Sequence, residues 1–487
     1  MTRPAPFRIL DIRLFERGVH MRLPFRFGVV TLTACPQAFV QVRIRTEDGA
    51  EAEGWAAELL APKWFDKNLA LSNDDNFDQL RDSLQMAREA YLGTAASRSA
   101  FEHFAAHYAS RIEAGAAHGL NPLIACFGPA LIDRALLDAL CHARNCSFYE
   151  AVRQNLPGID ARLTQDLAGF DIDRFLTSLQ PATDIALRHT VGLVDAITAA
   201  DLKEPRLDDG LPETLEEVVA ATGCRYFKLK VCGDAEADIA RLTQIAQVIE
   251  AVPDYVVTLD GNEQFKDAMA AAVFWQRVQA TPALRRLAAA TLYIEQPLPR
   301  AIALESDVTA LAAMRPVLID ESDGTLEAFP EALAQGYTGV SSKDCKGIYR
   351  SLLNAARCRQ LNLRPEAEGR GAPYFMSAED LTTQAGLAVQ QDLALVNLIG
   401  LGHVERNGHH YVDGFAGQGG SAAEAQAFLQ AQPGLYEDAA GGAGGTSGGN
   451  ARLAISHGRI DLRSLDRPGF AASAIPDTST LQPLGRR

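Results

Sequence analysis

Between about residues 186 and 400, short apolar runs alternate with helix-like stretches, and no other feature restricts the possible folds as strongly. The runs are "ALRHTVGL", "YFKLKV", "YVVTLDGN", "TLYIEQPL", "PVLIDES", "TGVSSKD", a less regular one near "APYFMSAED", and "LALVNLIG". Between them lie stretches such as "DIARLTQIAQVIEAV" and "GIYRSLLNAARCRQLN". Strands separated by helices pair in parallel, and about eight such units suit a closed barrel better than an open sheet. The expected fold class is α/β, a modified (β/α) TIM barrel. The segment that follows, "GHVERNGHHYV" with His403, His409 and His410, reads as a surface hairpin rather than a second metal site.

The flanks differ in pattern. Residues 7–60 alternate as strands do, with the turn chemistry of a hairpin at "EDGAE", and from about 75 to 157 the pattern becomes helical. This predicts an N-terminal α+β domain over 1–160, the barrel over 161–415 and a C-terminal segment over 416–487. The last contains a Gly-rich linker, 439–450, followed by "ARLAISHGRIDLRSLDRPGF", which reads as a hairpin around "HGR" returning to the N-terminal sheet. At 487 residues the chain is long enough for more than one core.

Composition narrows the partners. The formal charge of −15 disfavours nucleic acid and anionic membrane, and no apolar run approaches a membrane span. The N-terminus lacks the pattern of a secretory signal, so a cytoplasmic location is expected. The eight cysteines lack CxxC pairs or zinc spacing and read as reduced, mostly buried thiols.

Within this frame, "YFKLKV" puts Lys228 and Lys230 on one face of a strand, an arrangement that a half-wet strand would explain if it stood alone. It does not stand alone. The next three runs end in Asp260, Glu295 and Asp320, and the run after them carries Lys343 at the matching height. In a βα barrel these strand ends converge on one face. Three carboxylates there would repel one another unless a cation neutralised them, and Mg²⁺ suits oxygen ligands of this kind. Lys230 and Lys343 would then stand on opposite sides of a bound ligand. Such a site suits removal of a proton α to a carboxylate, where the enolate needs electrostatic stabilisation and a lysine serves as base once neighbouring cations lower its pKa. Lys228 is placed to exert that influence on Lys230.

In this order "KLK", "LDGN", "YIEQP", "IDES" and "SSKDCKG" resemble the barrel motifs of the enolase superfamily, in particular its muconate lactonizing enzyme-like subgroup. The resemblance extends to the N-terminal region, which is similar to that family's capping domain. It implies that Asp260, Glu295 and Asp320 bind Mg²⁺, that Lys230 and Lys343 act as acid and base, and that Lys228 touches the substrate carboxylate. Asn262 and Gln296 match positions that support the site, Asn262 on the substrate side, and Glu321 is a candidate partner for Lys343. A small carboxylate substrate and a homo-oligomer are expected.

The sequence also departs from the family's pattern. Helical sequence is added near 65–120, Lys346 precedes Gly347 where a glycine pair is usual, and around the seventh strand only Glu379 or Asp380 offers a substrate-contacting acid. The lysine on strand six disfavours the branch built on a His–Asp dyad. Racemisation or epimerisation, cycloisomerisation and syn-elimination by a dehydratase all remain compatible with these residues. Two other classes stay open: a Schiff-base aldolase using Lys230 or Lys343, and a metal-binding barrel without turnover. The N-terminal stretches 22–32 and 56–68 are expected to close over the barrel mouth and choose the substrate.

Overall fold

A computed structural model describes residues 4–202, 205–365, 373–383, 385–439 and 450–485. Its N-terminal part is an antiparallel sheet of β1 (Phe7–Phe27), β2 (Val30–Thr46) and β3 (Glu51–Leu59), the last two joined through the turn read from "EDGAE". Alternation sends Val40, Val42 and Ile44 into the core. Three helices, Asn73–Leu92, Ala100–Ala117 and Pro122–Arg144, then pack beside the sheet, the first two opened by capping boxes at Ser72 and Ser99. Contact between β3 and the third helix is close enough that a Cβ on Gly54 would lie 2.2 Å from the carbonyl oxygen of Ala135, so only glycine fits there.

Eight parallel strands follow: β4 (Asp184–Val191), β5 (Tyr226–Lys230), β6 (Val256–Asp260), β7 (Thr291–Glu295), β8 (Val317–Ile319), β9 (Gly339–Ser342), β10 (Phe375–Ala378) and β11 (His403–Arg406). β11 pairs with β4 and closes the barrel, which agrees with the fold expected from the sequence. Strand eight is not the run expected. "LALVNLIG" lies in the helix Leu387–Leu398, every residue of which is buried, and the strand is "HVER", the segment read as a surface hairpin. A helix buried on all sides is as continuously apolar as a buried strand, so periodicity could not separate them.

After the barrel, β12 (Tyr436–Asp438) pairs with β13 (Ala451–Leu453), and residues 440–449 of the Gly-rich linker lie outside the described residues. The following "HGR" turn leads into β14 (Arg459–Asp461), which pairs antiparallel with barrel strand β4 and not with the N-terminal sheet. Among the described residues of this segment, only β15 (Gln482–Pro483) pairs with that sheet, as an edge partner of β1. Among the described residues, no helix is long and apolar enough to cross a membrane.

Candidate active site

The lysine pair turns inward. On β5, Phe227 and Leu229 point to the surrounding helices while Lys228 and Lys230 face the barrel interior, and all four are buried. Lys230, Asp260 and Glu295 stand directly across from one another on β5, β6 and β7. Asp320 and Lys343 each follow the last residue of their strand, β8 and β9. The order lysine, acid, acid, acid, lysine therefore lines consecutive strand ends.

Lys228 lies at the centre of four carboxylates. Its ammonium donates to Glu295 at 2.9 Å, Glu379 at 2.6 Å and Glu405 at 3.0 Å, and lies 2.9 Å from Asp260. Burial works against this charge, but the four acids outweigh it and hold the lysine well above its ordinary pKa. Glu295 is pushed the opposite way for an acid, raised first by burial and then by Asp260 and Glu379. Burial also opposes charge on Asp260 and Asp320, yet the lysines prevail and both are lowered: Lys228 and Lys230 act on the former, Lys343 and Lys346 on the latter.

Lys230 donates to Asp260 at 2.5 Å and Lys343 to Asp320 at 2.7 Å. Lys343 also lies 4.1 Å from the centre of the Trp64 ring, a cation–π contact supplied by the N-terminal domain. Burial pulls the Lys343 pKa down, but Asp320 more than offsets it and the value rises, the reverse of the lowering expected for a base. Each of the three expected metal ligands is thus paired with an ammonium. Among the described residues, no group of three or more His, Cys, Asp or Glu side chains is drawn together as metal ligands are.

Supporting residues hold this row in place. Gln296 accepts from the backbone amides of Asp320 at 2.8 Å and Ser322 at 3.1 Å, which ties the end of β7 to that of β8. Asn262 donates to Glu321 at 3.0 Å. Glu321 therefore serves Asn262 and, at 3.8 Å, Lys67, rather than Lys343 as expected; its side chain faces the β6 loop. Glu379 is committed to Lys228 and Arg188. Asp380 lines the mouth, but its oxygens already accept from Arg406, Thr383 and the Asn407 amide.

Arg188 on β4, Glu405 on β11 and Lys346 after β9 belong to the same charged network and were not singled out in the sequence. Glu405 sits on the strand that was misread, and Arg188 sits in a run whose role was read only as a strand. Lys346 was noted merely as a departure; its ammonium reaches Ser341 and Asp323 and lies 3.5 Å from Asp320.

Above the row lies a small pocket. Lys230, Lys343, Asn262 and Glu405 form its polar wall, and Phe25, Phe27, Leu32, Ala61 and Trp64 form the apolar one, so both N-terminal stretches expected at the mouth are there. They are fastened to the barrel. Arg22 donates to Asp209 at 2.6 Å and to the His410 carbonyl at 2.8 Å, and Phe25 stacks on Tyr411. Arg300 donates to the carbonyls of Trp64 and Phe65, each at 2.7 Å, while its other bonds go to Glu263. Arg134, wholly buried, joins Glu58 and the Ala57 carbonyl to Asp344, next to Lys343.

Fold and site together define a capped (β/α) barrel enzyme whose charged groups stand at the C-terminal ends of the strands. Residues 210–401 match the family described as enolase C-terminal domain-like. Among curated proteins nothing matches it. Solved structures with the same fold include an enolase from Bradyrhizobium complexed with magnesium and mandelic acid. It is 16% identical, with 98% of this chain and 97% of that one covered and a TM-score of 0.57. A racemase from Streptomyces coelicolor A3(2) with bound magnesium is 14% identical over 95% and 96% of the two chains, with a TM-score of 0.56. Muconate lactonizing enzyme from Mucobacterium smegmatis, complexed with muconolactone, is 18% identical over 95% and 96%, with a TM-score of 0.54.

Proposed function

We propose that the chain works through the enolate of a small organic acid, with Mg²⁺ as cofactor, either replacing the proton α to the carboxylate as a racemase or epimerase, or, as a cycloisomerase, interconverting a ring and its open form, with the α-proton removed as the ring opens and supplied as it closes. The observation that carries this reading is the row Lys230, Asp260, Glu295, Asp320, Lys343 on five consecutive strands, with both lysines lining one small pocket. The muconate lactonizing enzyme-like subgroup, with lysines on its second and sixth strands, is the part of the superfamily this row resembles.

The donor set fits a hard divalent cation. Asp260, Glu295 and Asp320 offer only oxygen, and Glu295 is raised by burial and by the crowding of like charge. These three would hold Mg²⁺, which when bound would stabilise negative charge developing on the substrate carboxylate. Lys230 and Lys343, released from Asp260 and Asp320, would each face one side of the α-carbon. One takes the proton and the other supplies one. Lys228 would keep its positive charge toward the substrate carboxylate, and Trp64 with Phe25 and Phe27 would exclude water and contact the apolar part of the substrate.

Exchange with solvent deuterium tests the assignment. Across a panel of chiral carboxylates, Lys343→Ala should still exchange the α-proton of one stereoisomer and Lys230→Ala that of the other, while net conversion falls by orders of magnitude in both, since a base reaches only the face it stands on. Exchange of both isomers at the wild-type rate by both variants would remove the lysines from the chemistry. Trapping of a substrate adduct by borohydride in chelator would favour the aldolase reading instead.

A further inference from the structure

Away from the barrel mouth, a small cavity lies between the helices Ala100–Ala117 and Pro122–Arg144 and the loop after β9. Its walls are mainly apolar and aromatic, with Phe104, Tyr108, Ile112, Pro129 and Ala130 among them. Arg111 also lines it. This side chain is only 8% exposed, and none of its three guanidinium nitrogens, all buried, has a hydrogen-bond partner among the described residues. The guanidinium carbon lies 5.1 Å from the centre of the Tyr91 ring, a contact that fills no donor.

The other charged groups around the cavity are already committed. Arg350 donates to the carbonyls of Asp323 and Gly324 and to the Cys126 sulfur. Lys346 is held by Ser341 and Asp323. Asp133 accepts from the Tyr91 hydroxyl at 2.7 Å and is pushed up to about 7 by burial. It makes no ion pair with Arg111 among the described residues. His107, lowered to about 4 by burial and by Arg111, brings no charge at neutral pH.

A buried guanidinium with every donor unfilled is costly, and a planar fork of such donors matches a carboxylate. We propose that this cavity is a second small-molecule site, which takes a small organic carboxylate with an aromatic or compact apolar body, its carboxylate on Arg111 and its body against the aromatic wall. Part of its wall, from Tyr91 to Ile112, comes from the helical sequence added near 65–120.

Benzoate is the probe. In hydrogen–deuterium exchange on the intact protein, benzoate should slow exchange in the helix Ala100–Ala117, while benzyl alcohol and inorganic phosphate, each lacking one half of the ligand, should not. Arg111→Met should weaken the benzoate effect about tenfold or more, the loss expected for a charged hydrogen bond. Its melting temperature should stay level or rise, because the side chain removed was unpaired. Arg111→Gln, polar but uncharged, should lose benzoate in the same way and decides the matter if the methionine variant does not fold. Absence of benzoate protection in that helix, equal protection by benzyl alcohol, or unchanged benzoate affinity in the folded variant would overturn the site.

Discussion

Replacing Lys228 with methionine isolates the electrostatics of the carboxylate row. The ammonium lies within 3.0 Å of Asp260, Glu295, Glu379 and Glu405, all buried, and methionine keeps the stem while deleting the charge. Removing one partner from a buried ion pair costs about 3–5 kcal/mol, and four acceptors lose theirs here. Uptake of a proton by Glu295, already raised, would limit the loss. For a chain of this size about 3–5 kcal/mol corresponds to roughly 3–5 °C in midpoint. Circular dichroism melts in chelator should show that drop for Lys228→Met and none for Lys266→Met, whose lysine is 82% exposed. Excess Mg²⁺ should then stabilise the variant more than the wild type, since a cation that fills the row contributes about 2.7 kcal/mol at a hundredfold excess over its Kd and no longer competes with this ammonium. Equal midpoints in chelator would mean that the row does not depend on Lys228; an equal Mg²⁺ shift in both proteins would mean that cation and ammonium do not share the same carboxylates.

Three further outcomes are expected. Gln296→Leu should leave two buried amides, those of Asp320 and Ser322, without an acceptor, at about 1–3 kcal/mol each, and should weaken Mg²⁺ binding measured by calorimetry; unaltered stability and affinity would deny Gln296 its part in aiming Asp320. Asp133, raised to about 7 in the folded state by burial, keeps a proton that the unfolded chain has released above about pH 4. Stability should therefore fall by about 1.4 kcal/mol per unit as pH rises from 4 to 7 and level off above, and denaturant midpoints should show that slope flattened in Asp133→Asn; identical slopes would place the titration elsewhere. Trp64→Ala removes the ring over Lys343 and part of the apolar wall, so the order of preferred substrates should change while Mg²⁺ affinity stays constant; an unchanged order would place specificity in the barrel.

Much of the fold was legible because the βα rhythm is local. Seven of the eight barrel strands coincide with apolar runs, and the row from Lys230 to Lys343 could be placed because a strand end is a short-range property of the sequence. The eighth strand failed for the opposite reason. "HVER" is four residues long and half charged, and its burial comes from closing against β4, whereas the apolar run before it belongs to a helix enclosed on every side.

That misreading explains one part of what was missed in the site, Glu405. Lys228 was read as a group acting on its neighbour two residues along, yet its partners Glu379 and Glu405 stand 151 and 177 residues away, the second of them on the misread strand. A spacing of two residues announces that two charges share a face. What those charges meet there is decided by barrel closure, which brings β5, β7, β10 and β11 around one interior. The acidic surroundings of Lys228, with the raised pKa that follows, could not be derived from "YFKLKV" alone. Chemistry carried by neighbours in sequence was therefore readable, while the electrostatic setting of each lysine required the closed barrel.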